Sequence, residues 1–232
     1  MLRHVPAGVS YVGRGDVSRT LNDAAVTQFT NAILGRFADN EYYSGPTSKT
    51  GLLNTFSNAT GLEASGASTV VGFGKYGGGS TATSGPYYGF YIEAEWSTDA
   101  VVSALESGNF AFTESEYSGQ TLYEAGRQYQ QLWLGVTNEG SYVLVTEAAV
   151  KDTLDVAAGN ADSVGSDMRS AFGAIRDAPF KFAAGVPASR LPSQEIDIGG
   201  STIDPQRFAS VSYVAGATYH EGNTAGLTSS RA

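Results

Sequence analysis

The residues of this chain best suited to chemistry are carboxylates. Glu93 and Glu95 stand two apart in the strand-like run "YYGFYIEAEW", and Glu114 and Glu116 stand two apart in "FAFTESEYSG". Residues at that spacing on a strand point to one side, about 6 to 7 Å from each other. The distance falls near the range used by the paired acids of glycoside hydrolysis. If the two strands were neighbours, the four carboxylates would crowd, raising some of their pKa values or drawing in a cation. The same pattern also fits the wet side of an antiparallel sheet, where glutamates alternate with Tyr, Ile, Ala and Phe. No catalytic role is assigned on this pattern alone, and the four glutamates are the candidates to be located in a structure.

Metal and nucleophile chemistry is sparse. Asp197 and Asp204 bracket "IGGSTI" and, with Glu93 and Glu95, are the candidates for weak cation binding. The D-x-D-x-D-G spacing of a calcium loop is absent there and among Asp155, Asp162 and Asp167. Only His4 and His220 could supply imidazole, from opposite ends of the chain, and two such lone residues read as surface histidines. No G-x-S-x-G elbow is present. With no Cys, the chain has no disulfide, cysteine zinc site, iron-sulfur cluster or thiol nucleophile.

The triplet Gly77-Gly78-Gly79 follows Lys75. A phosphate loop needs its lysine after the glycines, at the mouth of a helix. Here the lysine comes first and a strand follows, so a hairpin tip is expected and no cofactor. Tyrosine is abundant, with 13 residues, and Tyr42-Tyr43 and Tyr87-Tyr88 flank loops. Tyrosine gives contact area at low entropic cost, so these four are candidates for a surface that binds glycan or protein.

Charge narrows the partners. The chain has 23 acids against 14 bases, a net charge of -9, and ten of the bases are Arg and four are Lys. Nucleic acid and anionic membrane both require basic patches, so neither is expected as a partner. An acidic, lysine-poor, cysteine-free chain fits a high-salt setting, where salt screens self-repulsion. No run approaches the roughly 18 apolar residues of a membrane span. The start, "MLRHVPAGVSYVG", has no signal-peptide core, and the expectation is an exported protein whose signal segment is absent from this chain. One sequon, at Asn58, is compatible with export.

"VSYVGRGD" reads as a strand, and "RTLNDAAVTQFTNAILGRF" as one helix with Leu21, Ala25, Phe29, Ile33 and Phe37 on a face, opened by Thr20 and Asp23 at capping-box spacing. A shorter helix carries Leu52, Leu53 and Phe56. "ASTVVGFGKY" and "YYGFYIEAEW" form a hairpin around the glycines. A strand, cap and helix then occur twice: Ser97 with Val101 and Leu105, and Thr146 with Val150 and Leu154. Between them lie antiparallel strands turning at Ser118-Gly119 and Asn138-Glu139-Gly140. "SDMRSAFGAIRD" reads as a helix, "FKFAAGV" as a strand, and "ASVSYVAGATYHE" as a long strand with a bulge at Gly216. The tail "GNTAGLTSSRA" has no period, so the partner of that last strand is expected to be missing or to come from another molecule.

Several of these motifs together resemble a known family. "YYGFYIEAEWSTDAVVSALESG", "FTESEYSGQTLYEA", "LWLGVTNEGSYVLVTEAAVKDTLDVAAGN" and "VGSDMRSAFGAIRDAPFKFAAGVPA" resemble exported bacterial and archaeal proteins of unknown function, and "VPAGVSYVGRGDV" is similar to the start of their mature domain. The likeness runs from Val5 to Ala188. It implies a secreted or lipid-anchored, haloarchaeal-like protein and brings no catalytic residues. The expected fold is α+β, antiparallel strands in one or two sheets with about four helices on one face, built from repeated strand-helix units. The expected organisation is one domain over 1–232, with two similar halves at about 5–96 and 87–188 and a strand region at 189–232. The expected function is a non-enzymatic surface or secreted module acting by binding or assembly, with a surface protein or glycan as partner. The alternatives are an extracellular carboxylate hydrolase and a virion or filament subunit.

Overall fold

The computed structural model describes residues 2–38, 45–76, 85–108, 110–127, 130–187, 189, 194, 196–198, 201–208, 210–221 and 224–231. Ten strands form one antiparallel sheet: β1 (Tyr11–Asp16), β2 (Ala67–Gly74), β3 (Tyr88–Ala94), β4 (Ala111–Tyr117), β5 (Gln120–Arg127), β6 (Gln130–Asn138), β7 (Ser141–Val145), β8 (Phe180–Gly185), β11 (Tyr213–Glu221) and β12 (Thr224–Arg231). Their order is β12-β11-β8-β1-β2-β3-β7-β6-β5-β4. The short β9 (Ile196–Ile198) and β10 (Ser201–Ile203) pair separately. The chain is thus α+β with an antiparallel sheet, as its alternating strands and helix periods require.

The helices are α1 (Val17–Asn22), α2 (Ala24–Ala38), α3 (Lys49–Thr60), α4 (Thr98–Ser107), α5 (Glu147–Ala158) and α6 (Ser166–Gly173). They occupy both sides of the sheet. On one side, Val150 and Leu154 of α5 and Met168, Ala171 and Phe172 of α6 pack with Val12, Val71, Phe73, Tyr91 and Val143 of the strands. On the other, Val101 and Ala104 of α4 pack with Leu134 and Tyr142. The two strand-cap-helix units therefore deliver their helices to opposite faces. Ser97 caps α4 by accepting from the Ala100 N–H at 3.2 Å, whereas Thr146 binds backwards, donating to the Tyr88 carbonyl at 2.8 Å. The turn into α5 also passes through Val145 at φ 117, a left-handed conformation that costs a β-branched residue on the order of 1–3 kcal/mol.

Four sequence expectations are corrected. The long amino-terminal helix is two helices, because Asp23 leaves the helical region and accepts from the Val26 N–H at 3.0 Å, capping α2. The cap of α1 is Asp16, which accepts from the Arg19 N–H at 2.9 Å, and not the Thr20 and Asp23 pair. The side chains of Ala25, Phe29, Ile33 and Phe37 lie outside the described residues. Gly216 is no bulge: it pairs in regular register with Phe182. The last long strand has its partner, since β12 pairs with β11 from Val214↔Arg231 to Glu221↔Thr224. A backbone ladder needs no apolar alternation, which is why the tail gave no signal. The hairpin around the triple glycine is present in its strands, with Gly74 opposite Tyr88, while 77–84 lie outside the described residues. At Ser118 and Gly119, φ values of 52° and 74° make the two-residue turn of the β4–β5 hairpin.

Candidate functional site

Because neighbouring strands pair in register, each face of the sheet can be read as rows. On the face opposite α5, three rows cross β8, β1, β2 and β3: Ala184, Tyr11, Gly74 and Tyr88; then Phe182, Gly13, Gly72 and Phe90; then Phe180, Gly15, Val70 and Ile92. The middle strands carry glycine where the outer ones carry aromatic rings. The result is a trough of about 510 Å³ with a floor of Gly13, Gly15 and Gly72 and walls of Phe and Tyr. Among the described residues no charged side chain lines it. Phe180 and Phe90 lean in from opposite sides: a Cβ on Gly13 would meet the first ring at 3.3 Å, and one on Gly72 the second at 3.2 Å.

The trough is open. Tyr88, Phe90 and Phe180 are 38%, 44% and 42% exposed, and Val214 on β11 extends the apolar surface at 45%. Single exposed apolar side chains are ordinary, but a contiguous set around a concave floor is the usual form of a ligand pocket. At one end Tyr11 lies across Gly74, with the Tyr76 ring 5.7 Å from its own. The opposite end, at Phe180, Gly15 and Val70, is wholly apolar.

The residues singled out in the sequence do not converge. Four strands from β3, at about 4.8 Å per step, place β4 roughly 19 Å away, so Glu93 and Glu95 never meet Glu114 and Glu116. Glu95 lies beyond the end of β3, and its backbone N–H binds the Gly66 carbonyl at 2.8 Å. Glu114 sits on the exposed edge strand opposite Tyr123; burial and this carboxylate together raise the Tyr123 pKa. Glu93 faces α5's side of the sheet, close enough to act on His4. His4 is not the surface residue expected: its ring stacks on Tyr91 at 5.0 Å, its Nδ1 is buried without a partner among the described residues, and burial and the adjacent Arg3 lower its pKa.

The remaining candidates disperse as well. Asp204 accepts from the Gln206 N–H at 2.9 Å, while the Asp197 side chain and Tyr42 and Tyr43 lie outside the described residues. Among the described residues no group of three or more His, Asp or Glu side chains could hold a metal ion. Strand alternation separates Tyr87 from Tyr88. Tyr88 lines the trough; Tyr87 points to the α5 side, donates to Asp152 at 2.7 Å, and lies under Lys75 at 3.8 Å. Burial and the Asp152 hydrogen bond push its pKa far up. Tyr117 similarly donates to Asp155 at 3.0 Å, tying the β4–β5 hairpin to α5.

The trough itself was not anticipated. Its signal is present in the text of the chain: "VGRGD" and "VVGFG" carry glycines two apart, and "FKF" carries phenylalanines two apart. Only the strand pairing reveals that these residues share one face.

No family model and no curated protein matches the chain. Solved structures do. Crystal form III of TP0453 is 11% identical with a TM-score of 0.52, over 99% of this chain and 78% of that one. Crystal form IV is 12% identical with a TM-score of 0.53, over 98% and 78%. Crystal form I is 9% identical with a TM-score of 0.51, over 99% and 77%. At such identities the likeness establishes a shared fold and nothing more. Among the described residues no helix is long and apolar enough to cross a membrane.

Proposed function

We propose that this protein is a non-enzymatic binding module of the exported, cell-surface class, and that it holds the apolar part of a ligand in the glycine-floored trough. The observation that carries the reading is the trough itself, an open cleft of about 510 Å³ without a charged lining residue. Exposed apolar surface costs roughly 25 cal/mol per Å² that a bound apolar group would recover. A carboxylate hydrolase draws no support from the site, since no acid is among the described residues that line the cleft.

Titrating the full chain with the neutral apolar dye Nile red tests this. Saturable, one-to-one enhancement of fluorescence is expected. Emission that rises linearly with dye, without saturation, would overturn it. The acidic composition supports a high-salt setting, and dilution from molar salt to about 0.1 M is expected to lower the melting temperature as screening weakens. A melting temperature unchanged across that range would remove this part of the proposal.

A further inference from the structure

We infer that the occupant of the trough is an amphiphile with an uncharged, hydroxyl-bearing head, seated with its head at Tyr11 and Tyr88 and its chain directed toward Phe180. This rests on the binding reading above and adds the ligand's chemistry and orientation to it.

The two ends of the trough differ. Each row of the sheet face is separated from the next by two residues, so three rows span roughly 14 Å of groove. Among the described residues, polar atoms from side chains occur only in the Tyr11 and Tyr88 row, since the remaining lining residues are Gly, Ala, Val and Phe. An apolar chain can therefore desolvate against Phe182, Phe90 and Phe180 while a polar head remains at the tyrosine end, which is how half-wet tyrosines are commonly used.

The tyrosine hydroxyls differ in the same way. On the packed parts of the molecule three are spent: Tyr87 donates to Asp152, Tyr117 to Asp155, and Tyr142 to the Trp96 carbonyl at 2.5 Å. At the trough, no described residue holds the hydroxyl of Tyr11 or Tyr88. A phenol both donates and accepts, so this pair matches an alcohol or sugar head, which does the same, better than a carboxylate, which only accepts, or a trimethylammonium, which does neither.

Charge argues against an anionic head. The chain carries -9 overall. Lys75, next in sequence to Gly74 of the tyrosine row, already lies over the Tyr87 ring at 3.8 Å and faces the Asp152 carboxylate at 3.8 Å. A carboxylate or phosphate brought to Tyr11 would lose part of its hydration and gain no ion partner from the described residues that line the trough, which is costly.

The test compares three amphiphiles with the same dodecyl chain, each below its micellar concentration and in molar salt: dodecyl maltoside, dodecanoate and dodecyltrimethylammonium. Each is read by its displacement of Nile red from the full chain. The maltoside is expected to bind at least about 10-fold more tightly than either ion. In a Tyr11→Phe/Tyr88→Phe variant that preference is expected to disappear while Nile red affinity stays within about 2-fold, because the walls remain. Equal or tighter binding of either ion, or a preference that survives in the double variant, would overturn the inference. Those outcomes leave Nile red binding intact, whereas failure of Nile red to bind at all would remove the groove reading on which the inference depends.

Discussion

Gly135 and Gly72 are both glycines within strands of the same sheet, and their surroundings could hardly differ more. A Cβ on Gly135 would lie 2.9 Å from Leu154, 2.9 Å from Val143 and 3.0 Å from Val150, all three fully buried. A Cβ on Gly72 would meet only the rim of Phe90, a half-exposed ring free to swing away. The first glycine exists so that α5 can approach the sheet. The second leaves a hollow that nothing described fills. One face of the sheet is a core, and the opposite face over β8, β1, β2 and β3 is a surface shaped like a core from which one layer has been removed.

The largest expected contrast comes from truncation. Leu154→Ala should cost about 2–5 kcal/mol, as buried leucine deletions do. Phe180→Ala on the trough should cost roughly 1 kcal/mol or less, because its ring is already half in water. Denaturant melts of the two variants measure the difference, and equal losses would mean that the trough is a core after all. A sharper comparison introduces the same side chain on both faces. Gly135→Val should lose roughly 1–3 kcal/mol by overpacking, while Gly72→Val should stay within about 0.5 kcal/mol. Neither glycine has a positive φ, so the backbone accepts valine at both sites.

The adjacent tyrosines give a smaller contrast. Tyr87→Phe breaks the hydrogen bond to Asp152 and should cost roughly 1–2 kcal/mol, whereas Tyr88→Phe, with no described partner, should cost close to nothing. The smallest effects concern pH, and they too belong to the α5 face. The Tyr87 pKa is raised above its ordinary 10, so its stabilising share is present below pH 10 and is lost as pH rises beyond it. His4 is lowered from 6.5, so its share is present above pH 6.5 and is lost as pH falls below it. Stability should therefore decline at both extremes, with the alkaline slope shallower in Tyr87→Phe. Nile red binding should stay flat from pH 7 to pH 9, because no charged side chain among the described residues lines the trough.

The local rules of the fold were legible in the chain. Ser97 and Thr146 both precede helices, the valine and leucine offsets after them mark the packed stripes, and Ser118-Gly119 turns a hairpin. What a cap and an offset cannot state is the face on which a helix lands. The two units looked alike, yet α4 and α5 lie on opposite sides, because that choice is made by packing at Gly135 and by the strained turn at Val145. The candidate site fared worse. Glutamates two apart are easy to see and make candidates for chemistry, but β7, β6 and β5 lie between their strands. Glycines two apart were equally visible, but an absence of side chains becomes a groove only when neighbouring strands bring aromatic rings to its edges. That information is long-range register, carried by the pairing of β1 with β2 and β8.

The most direct test measures stability and binding on a single protein, Gly13→Val/Gly72→Val. A melting temperature within about 2 °C of the parent chain is expected together with at least about a 10-fold loss of Nile red affinity. Unchanged affinity with valines on the trough floor would contradict the account and place the binding surface elsewhere on the molecule.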